Sequence, residues 1–152
     1  MQKQVFQDEW TSANGGGCHN FGTFDKNPAY AVRVTQNTQM MIRVMITQEL
    51  QGMSWTQDSK SFQYSCGAQL FRVQANAFPL AKGSIDMNQL RKPQLQTGED
   101  GRYSNALSSC VSAIKDIEPG IYVLVPSTFN PQQCAKFSLA IFSSIAVQVA
   151  KY

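Results

Sequence analysis

The chain has 152 residues, 43% apolar and 15% charged, and its 13 basic and 10 acidic side chains give a formal net charge of +3. That length and apolar share fit one globular domain and exclude a disordered tail. The charges are scattered, with no Lys/Arg run to neutralise a nucleic-acid backbone, and no apolar stretch approaches the ~20 residues of a membrane-spanning helix.

In chain order, residues 1–10 mix Lys3, Asp8 and Glu9 with glutamines, unlike the basic and then apolar pattern of a signal peptide, and residues 5–10 predict a first strand. The run Gly15-Gly16-Gly17 lacks the following Lys-Ser/Thr and helix of a phosphate loop, so it predicts a turn in which backbones approach closely. Asn27-Pro28 predicts a turn into a strand.

Over residues 29–35, Tyr30, Val32 and Val34 share one face of a period-two pattern; over residues 40–48, Met40, Ile42, Val44 and Ile46 do. The polar residues 36–39 between them predict a hairpin. Further strands are predicted at 68–73, 109–114, 120–125, 136–142 and 145–149, each rich in β-branched or aromatic residues and bounded by Gly, Pro, Ser or Asn. Residues 50–65 and 76–108 show no such pattern. Structureless loops this long are uncommon, so the second stretch is expected to contain a short strand or a helical turn near 86–91. No amphipathic helix of normal length is present. The expectation is one all-β domain over residues 1–152, an antiparallel eight-stranded two-sheet sandwich.

Two separated motifs carry a family resemblance. The first runs from Trp10 through Gly15-Gly16-Gly17-Cys18-His19-Asn20 and Thr23-Phe24 to Asn27-Pro28-Ala29-Tyr30. The second runs from Ile117-Glu118-Pro119-Gly120-Ile121-Tyr122 through Pro126-Ser127-Thr128-Phe129, with Phe137 to Ser143 beyond it. In this order they resemble the calpain-type β-sandwich, the C2-like domain III of calpain cysteine proteases. The final strand is most like the distal C-terminal sandwich of the PalB/calpain seven branch.

Physically these motifs are architectural. Pro119-Gly120 suits a tight turn launching the strand of Ile121 and Val123, Pro126 is expected to end it, and the Ser127 and Thr128 hydroxyls can bond nearby backbone. Ser127 has no G-x-S-x-G elbow. The sole histidine, His19, adjoins Cys18, and neighbouring side chains in an extended segment point apart, so no nucleophile and base pair is expected there. No other cysteine stands in the Gln and Cys-Trp context of a calpain protease core. The four cysteines, Cys18, Cys66, Cys110 and Cys134, have no paired zinc-ligand spacing, and without an export signal they are expected to be reduced thiols of a cytoplasmic protein.

Conventional calpains carry an acidic calcium loop in this domain. Here Asp58 and the pair Glu99-Asp100 lie beside Lys60 and Arg102, too little negative charge for a strong site, so no cofactor is expected and calcium binding would be weak. Arg33, Arg43 and Arg72, with Met41 and Met45 flanking Arg43, are predicted on outward strand faces as one docking surface. The resemblance implies a non-catalytic scaffold or interaction domain of a PalB-type cysteine endopeptidase. Its partners would be the protease domains of the parent chain or ESCRT-linked proteins. The alternative is a calcium- or phospholipid-responsive module docking peripherally on acidic membranes.

Overall fold

The computed structural model describes residues 1–47, 65–98, 103–105 and 110–152. The predicted hairpin end at residue 48, the acidic candidates Asp58, Glu99 and Asp100, and residues 50–64 lie outside that set.

Among the described residues are eleven strands: β1 (Gln2–Trp10), β2 (Tyr30–Val34), β3 (Thr38–Ile46), β4 (Ser65–Val73), β5 (Leu95–Gln96), β6 (Ser104–Asn105), β7 (Cys110–Val111), β8 (Lys115–Ile117), β9 (Gly120–Thr128), β10 (Ala135–Ser143) and β11 (Gln148–Lys151). They form two antiparallel sheets. The first runs β1-β10-β3-β7 with β8 also on β3, and the second runs β11-β2-β9-β4-β5 with β6 also on β4. The expected all-β sandwich is what the chain builds. Its strand number exceeds eight because residues 76–108 supply two short strands, β5 and β6, where a single short strand or helical turn was expected, and because the strand expected at 109–114 is reduced to β7, with a separate β8 after it.

The inward side chains are the period-two sets of the long strands. Tyr30, Val32 and Val34 of β2 meet Met40, Ile42 and Val44 of β3, with Leu70, Leu124, Phe137, Leu139 and Ile141, in one core between the sheets. These strands do not form the expected hairpin: β2 pairs with β9 and β11, and β3 pairs with β10, β7 and β8. Their apolar faces look at each other across the sandwich instead of lining one side of one sheet.

Pro126 does not end its strand either, since β9 continues to Thr128. Pro126 stands opposite Ala68, whose amide and carbonyl turn away from β9 to bond Thr97. By antiparallel alternation the proline's missing N–H therefore faces the β2 side, where β2 begins only at Tyr30, so no ladder bond is lost.

The second sheet is covered twice. Phe71, Val123 and Val125 on its outer side pack with Phe24, Ala29 and Met87, and with Leu80, Ile85, Leu90 and Tyr152, into a second apolar cluster. The cover is the polar segment 74–94, with a 3-10 turn at Met87–Gln89 capped by the Asp86 side chain, where a helical turn was expected. Tyr152 fastens it: its hydroxyl accepts from the Ile85 amide at 2.9 Å and donates to the Ile85 carbonyl at 3.3 Å.

The terminal strands run side by side in the same direction along one flank, joining the sheets. Gln4 Nε2 donates to the Val147 carbonyl at 2.8 Å, and Lys151 forms an ion pair with Asp8.

Candidate docking surface

Among the described residues, the outer face of the first sheet has no such cover. Register sets Val5, Ala140, Arg43 and Val111 in one row across β1, β10, β3 and β7, with Lys3, Phe142 and Met41 on one side and Gln7, Ser138 and Met45 on the other. Val5 (46%), Val111 (43%) and Met45 (36%) are exposed apolar side chains on this face. Arg43 and Lys3 both stand over the Phe142 ring, at 5.5 and 5.6 Å from its centroid. Cation–π contacts hold such groups near one position, so the face offers two placed positive charges around an aromatic ring, bordered by an adaptable methionine and two valines.

The three arginines do not make one surface. Arg43 is on the first sheet, whereas Arg33 and Arg72 are on β2 and β4 of the second. Arg33 points outward beside a cleft of about 680 Å³ lined by Thr35, Asn76, Phe78 and Pro119. Arg72 alternates with Phe71 and Val73 of the outer cluster and so shares the inward side of Leu70, at the open end of the core. Its guanidinium lies 6.0 Å from the Tyr122 ring centroid, donates to the Pro119 carbonyl at 3.0 Å and reaches Glu118 at 3.3 Å. The sequence misplaced it because both faces of β4 are covered, which removes the polarity that normally marks the outward side. Lys3, Val5, Val111 and Phe142 were missed, although the same alternation in β1 and β10 puts Lys3, Val5 and Phe142 on the outer side.

The motif residues are structural supports. Trp10 is wholly buried and stacks on Phe137 at 4.1 Å. The Gly16 amide donates to Asn27 Oδ1 at 2.9 Å, and Asn27 Nδ2 returns to the Gly17 carbonyl at 2.8 Å. Thr23 Oγ1 donates to the Gly16 carbonyl at 2.7 Å, so any side chain at Gly16 would meet backbone. Gly17 has φ +74 and lies against Pro131. Pro28 and Tyr30 are buried, and the Tyr30 hydroxyl donates to Asp8 Oδ2 at 2.5 Å. The Tyr122 hydroxyl donates to the Glu118 carbonyl at 2.7 Å and so ties down the Pro119-Gly120 approach, while Gly120 leaves room for the Arg72 guanidinium. Thr128 Oγ1 bonds nearby backbone at Asn130, as expected. Ser127 does not, because its hydroxyl is 2.6 Å from that of Tyr103, itself in edge contact with Phe129.

At His19 the ring stacks on Phe24 with centroids 3.7 Å apart, Nδ1 faces Arg91 Nη1 at 3.4 Å, and Nε2 is buried without a hydrogen-bond partner among the described residues. Burial, and then the Arg91 charge, lower the His19 pKa from its ordinary 6.5 and favour the neutral ring. Among the described residues no three His, Cys, Asp or Glu side chains gather as a metal would require, and no helix is long and apolar enough to cross a membrane.

Comparison with known proteins decides the family. Residues 6–142 match the model of calpain large subunit, domain III. The chain belongs to the calpain domain III family. Over 93% of its length this domain III is 24% identical to the calpain-type cysteine protease DEK1 of Zea mays, and it spans 6% of that protein. It is 27% identical over 99% of its length to Calpain-7 of Sus scrofa, spanning 15% of it. It is also 29% identical over 87% of its length to the serine/threonine-protein kinase 4 homolog B of Dictyostelium discoideum, spanning 10% of it. Domain III is a non-catalytic domain of calpain cysteine proteases.

Proposed function

We propose that this domain III is the interaction module of a calpain-like cysteine protease of the PalB type. Through the outer face of its first sheet it holds the protease domains of the parent chain or recruits a protein partner. The observation that carries the reading is the difference between the two outer faces. One is already packed under residues 74–94, while the other leaves Val5, Met45 and Val111 exposed around Arg43 and Phe142. Apolar groups around fixed cations suit a protein surface carrying carboxylates and aliphatic side chains. The kinase relative carries the same kind of module beside a different enzyme, which suits a domain whose contribution is contact and not chemistry.

The phospholipid alternative needs a basic patch, and separation of Arg33, Arg43 and Arg72 over different faces leaves, among the described residues, Lys3, Arg43 and Lys136 on the outer face of the first sheet, with Lys136 standing opposite the acidic Glu9. The test is binding in trans to the protease core of the parent protein, and to vesicles containing phosphatidylserine with and without calcium. The double variant Arg43→Glu, Met45→Glu is expected to lose core binding at least tenfold with its melting temperature unchanged. Core binding unaffected by the variant sinks the protein-docking reading, and calcium-dependent vesicle binding establishes the alternative.

A further inference from the structure

Cys66 and Cys110 come from different sheets, Cys66 from β4 of the second and Cys110 from β7 of the first. Both are buried, and their Sγ atoms lie 3.1 Å apart. A disulfide needs about 2.05 Å between sulfurs, so closure asks for an approach of only ~1 Å. Nothing in the docking role uses this pair.

We propose that Cys66 and Cys110 are a peroxide-oxidisable dithiol that closes into a disulfide tying the two sheets together. Hydrogen peroxide is the oxidant. One thiolate attacks a peroxide oxygen, the O–O bond breaks, and a sulfenic acid forms with loss of water. The second sulfur then attacks the sulfenic sulfur, the S–O bond breaks and a second water leaves. Two thiols and one peroxide thus give one disulfide and two waters, the thiols losing two electrons and two protons.

Access is governed by β7. Its two residues pair with Arg43 and Val44 at the edge of the first sheet, and the Val111 carbonyl also accepts from the Gly98 amide at 2.9 Å; a two-residue strand held by so few bonds opens at far lower cost than the long strands β9 and β10. The contact with Cys110, and then burial, hold the Cys66 thiol well above its ordinary range, so the closed pair reacts slowly and opening sets the rate. Once formed, the bridge closes a loop of 44 residues that includes the cover of the second sheet. Loop closure of this length predicts a melting temperature raised by roughly 5–10 °C.

The test uses the whole chain as a Cys134→Ser variant, which removes the exposed thiol that would otherwise link two molecules. After exposure to hydrogen peroxide, remaining thiols are alkylated and the protein is digested without reduction. The expected products are one Cys66–Cys110 linked peptide, an alkylated Cys18, and a raised melting temperature that dithiothreitol reverses. Peroxide-treated protein whose Cys66 and Cys110 are alkylated, or oxidised separately to sulfinic acid, overturns the proposal. So does a linked peptide that joins Cys18 to either of them.

Discussion

The indole Nε1 of Trp10 donates a hydrogen bond to the carbonyl of Pro126 at 3.2 Å, joining β1 of the first sheet to β9 of the second. That carbonyl belongs to the residue whose ring removes the neighbouring ladder donor, so Trp10 gives it the partner that β2 is too short to supply. Trp10→Phe keeps most of the packing on Phe137 but strands the buried carbonyl, and is expected to cost about 1–3 kcal/mol. Trp10→Ala adds a cavity and is expected to cost about 3–5 kcal/mol. Urea unfolding followed by circular dichroism measures both, and equal losses would show that the hydrogen bond contributes nothing.

Two glycines six residues apart in the same loop, Gly16 and Gly22, should behave oppositely. A Cβ at Gly16 would stand 2.0 Å from the Thr23 carbonyl oxygen, a backbone atom that must move, whereas at Gly22 it would meet nothing within 4 Å. Gly16→Ala is expected to cost about 3 kcal/mol or more, and Gly22→Ala to change stability by about 0.5 kcal/mol or less. Comparable urea midpoints for the two variants would contradict the packing described around Asn27.

His19 predicts a loss of stability in mild acid. Its folded pKa lies below the ordinary 6.5, so the unfolded chain takes up the proton first. Its stabilisation is present above the unfolded value and is lost as pH falls through about 6.5. It is the sole histidine, so His19→Phe, which keeps the stack on Phe24, should flatten the unfolding free energy between about pH 7.5 and about pH 5.5. An unchanged slope in the variant would assign the dependence elsewhere.

Asp8 acts at lower pH. Burial alone would raise its pKa, but hydrogen bonds from Lys151, Tyr30 and the Glu9 amide together carry it below the ordinary 3.8. A carboxylate depressed in the folded state stabilises above its unfolded pKa and loses that contribution as pH falls through the folded one. The stability gap between the wild-type chain and Asp8→Asn should therefore be full at neutral pH and shrink below about pH 4. A gap independent of pH would mean that the carboxylate charge plays no part.

Tyr152→Phe should loosen one region without unfolding the rest. Removing the hydroxyl breaks both bonds to Ile85. Amide exchange over residues 84–90 should quicken roughly five- to tenfold while that of β9 and β10 stays unchanged. Exchange spread evenly over the chain would show that the cover and the sandwich unfold as one unit.

The long strands were legible because each keeps at least one strictly alternating apolar face, as in Met40, Ile42 and Val44. Their pairing was not. Two such faces look alike in sequence whether they lie side by side in a hairpin or opposite each other between sheets, and only the second holds for β2 and β3. The cover of the second sheet was hidden for a related reason. Leu80, Ile85, Met87 and Leu90 follow neither period, because a loop laid over a sheet is anchored wherever its course brings an apolar side chain down. Arg43, Met41 and Met45 were found on one face because β3 alternates cleanly, while Arg72 was misread where both sides of β4 are covered.

The side-by-side course of β1 and β11 has a mechanical consequence. Gln4 meets Val147 and Asp8 meets Lys151, so the two terminal strands point the same way and the chain's ends leave at opposite ends of the flank. Tension applied between residues 1 and 152 would pull β1 lengthwise along β10 and β11 lengthwise along β2, loading each ladder in shear so that its bonds must rupture together. Pulling between residues 1 and 143, which end adjacent strands at the same edge, would open β1 from β10 one bond at a time. Single-molecule stretching should find the first geometry markedly stronger than the second, and equal rupture forces would rule out this account of how the domain bears load.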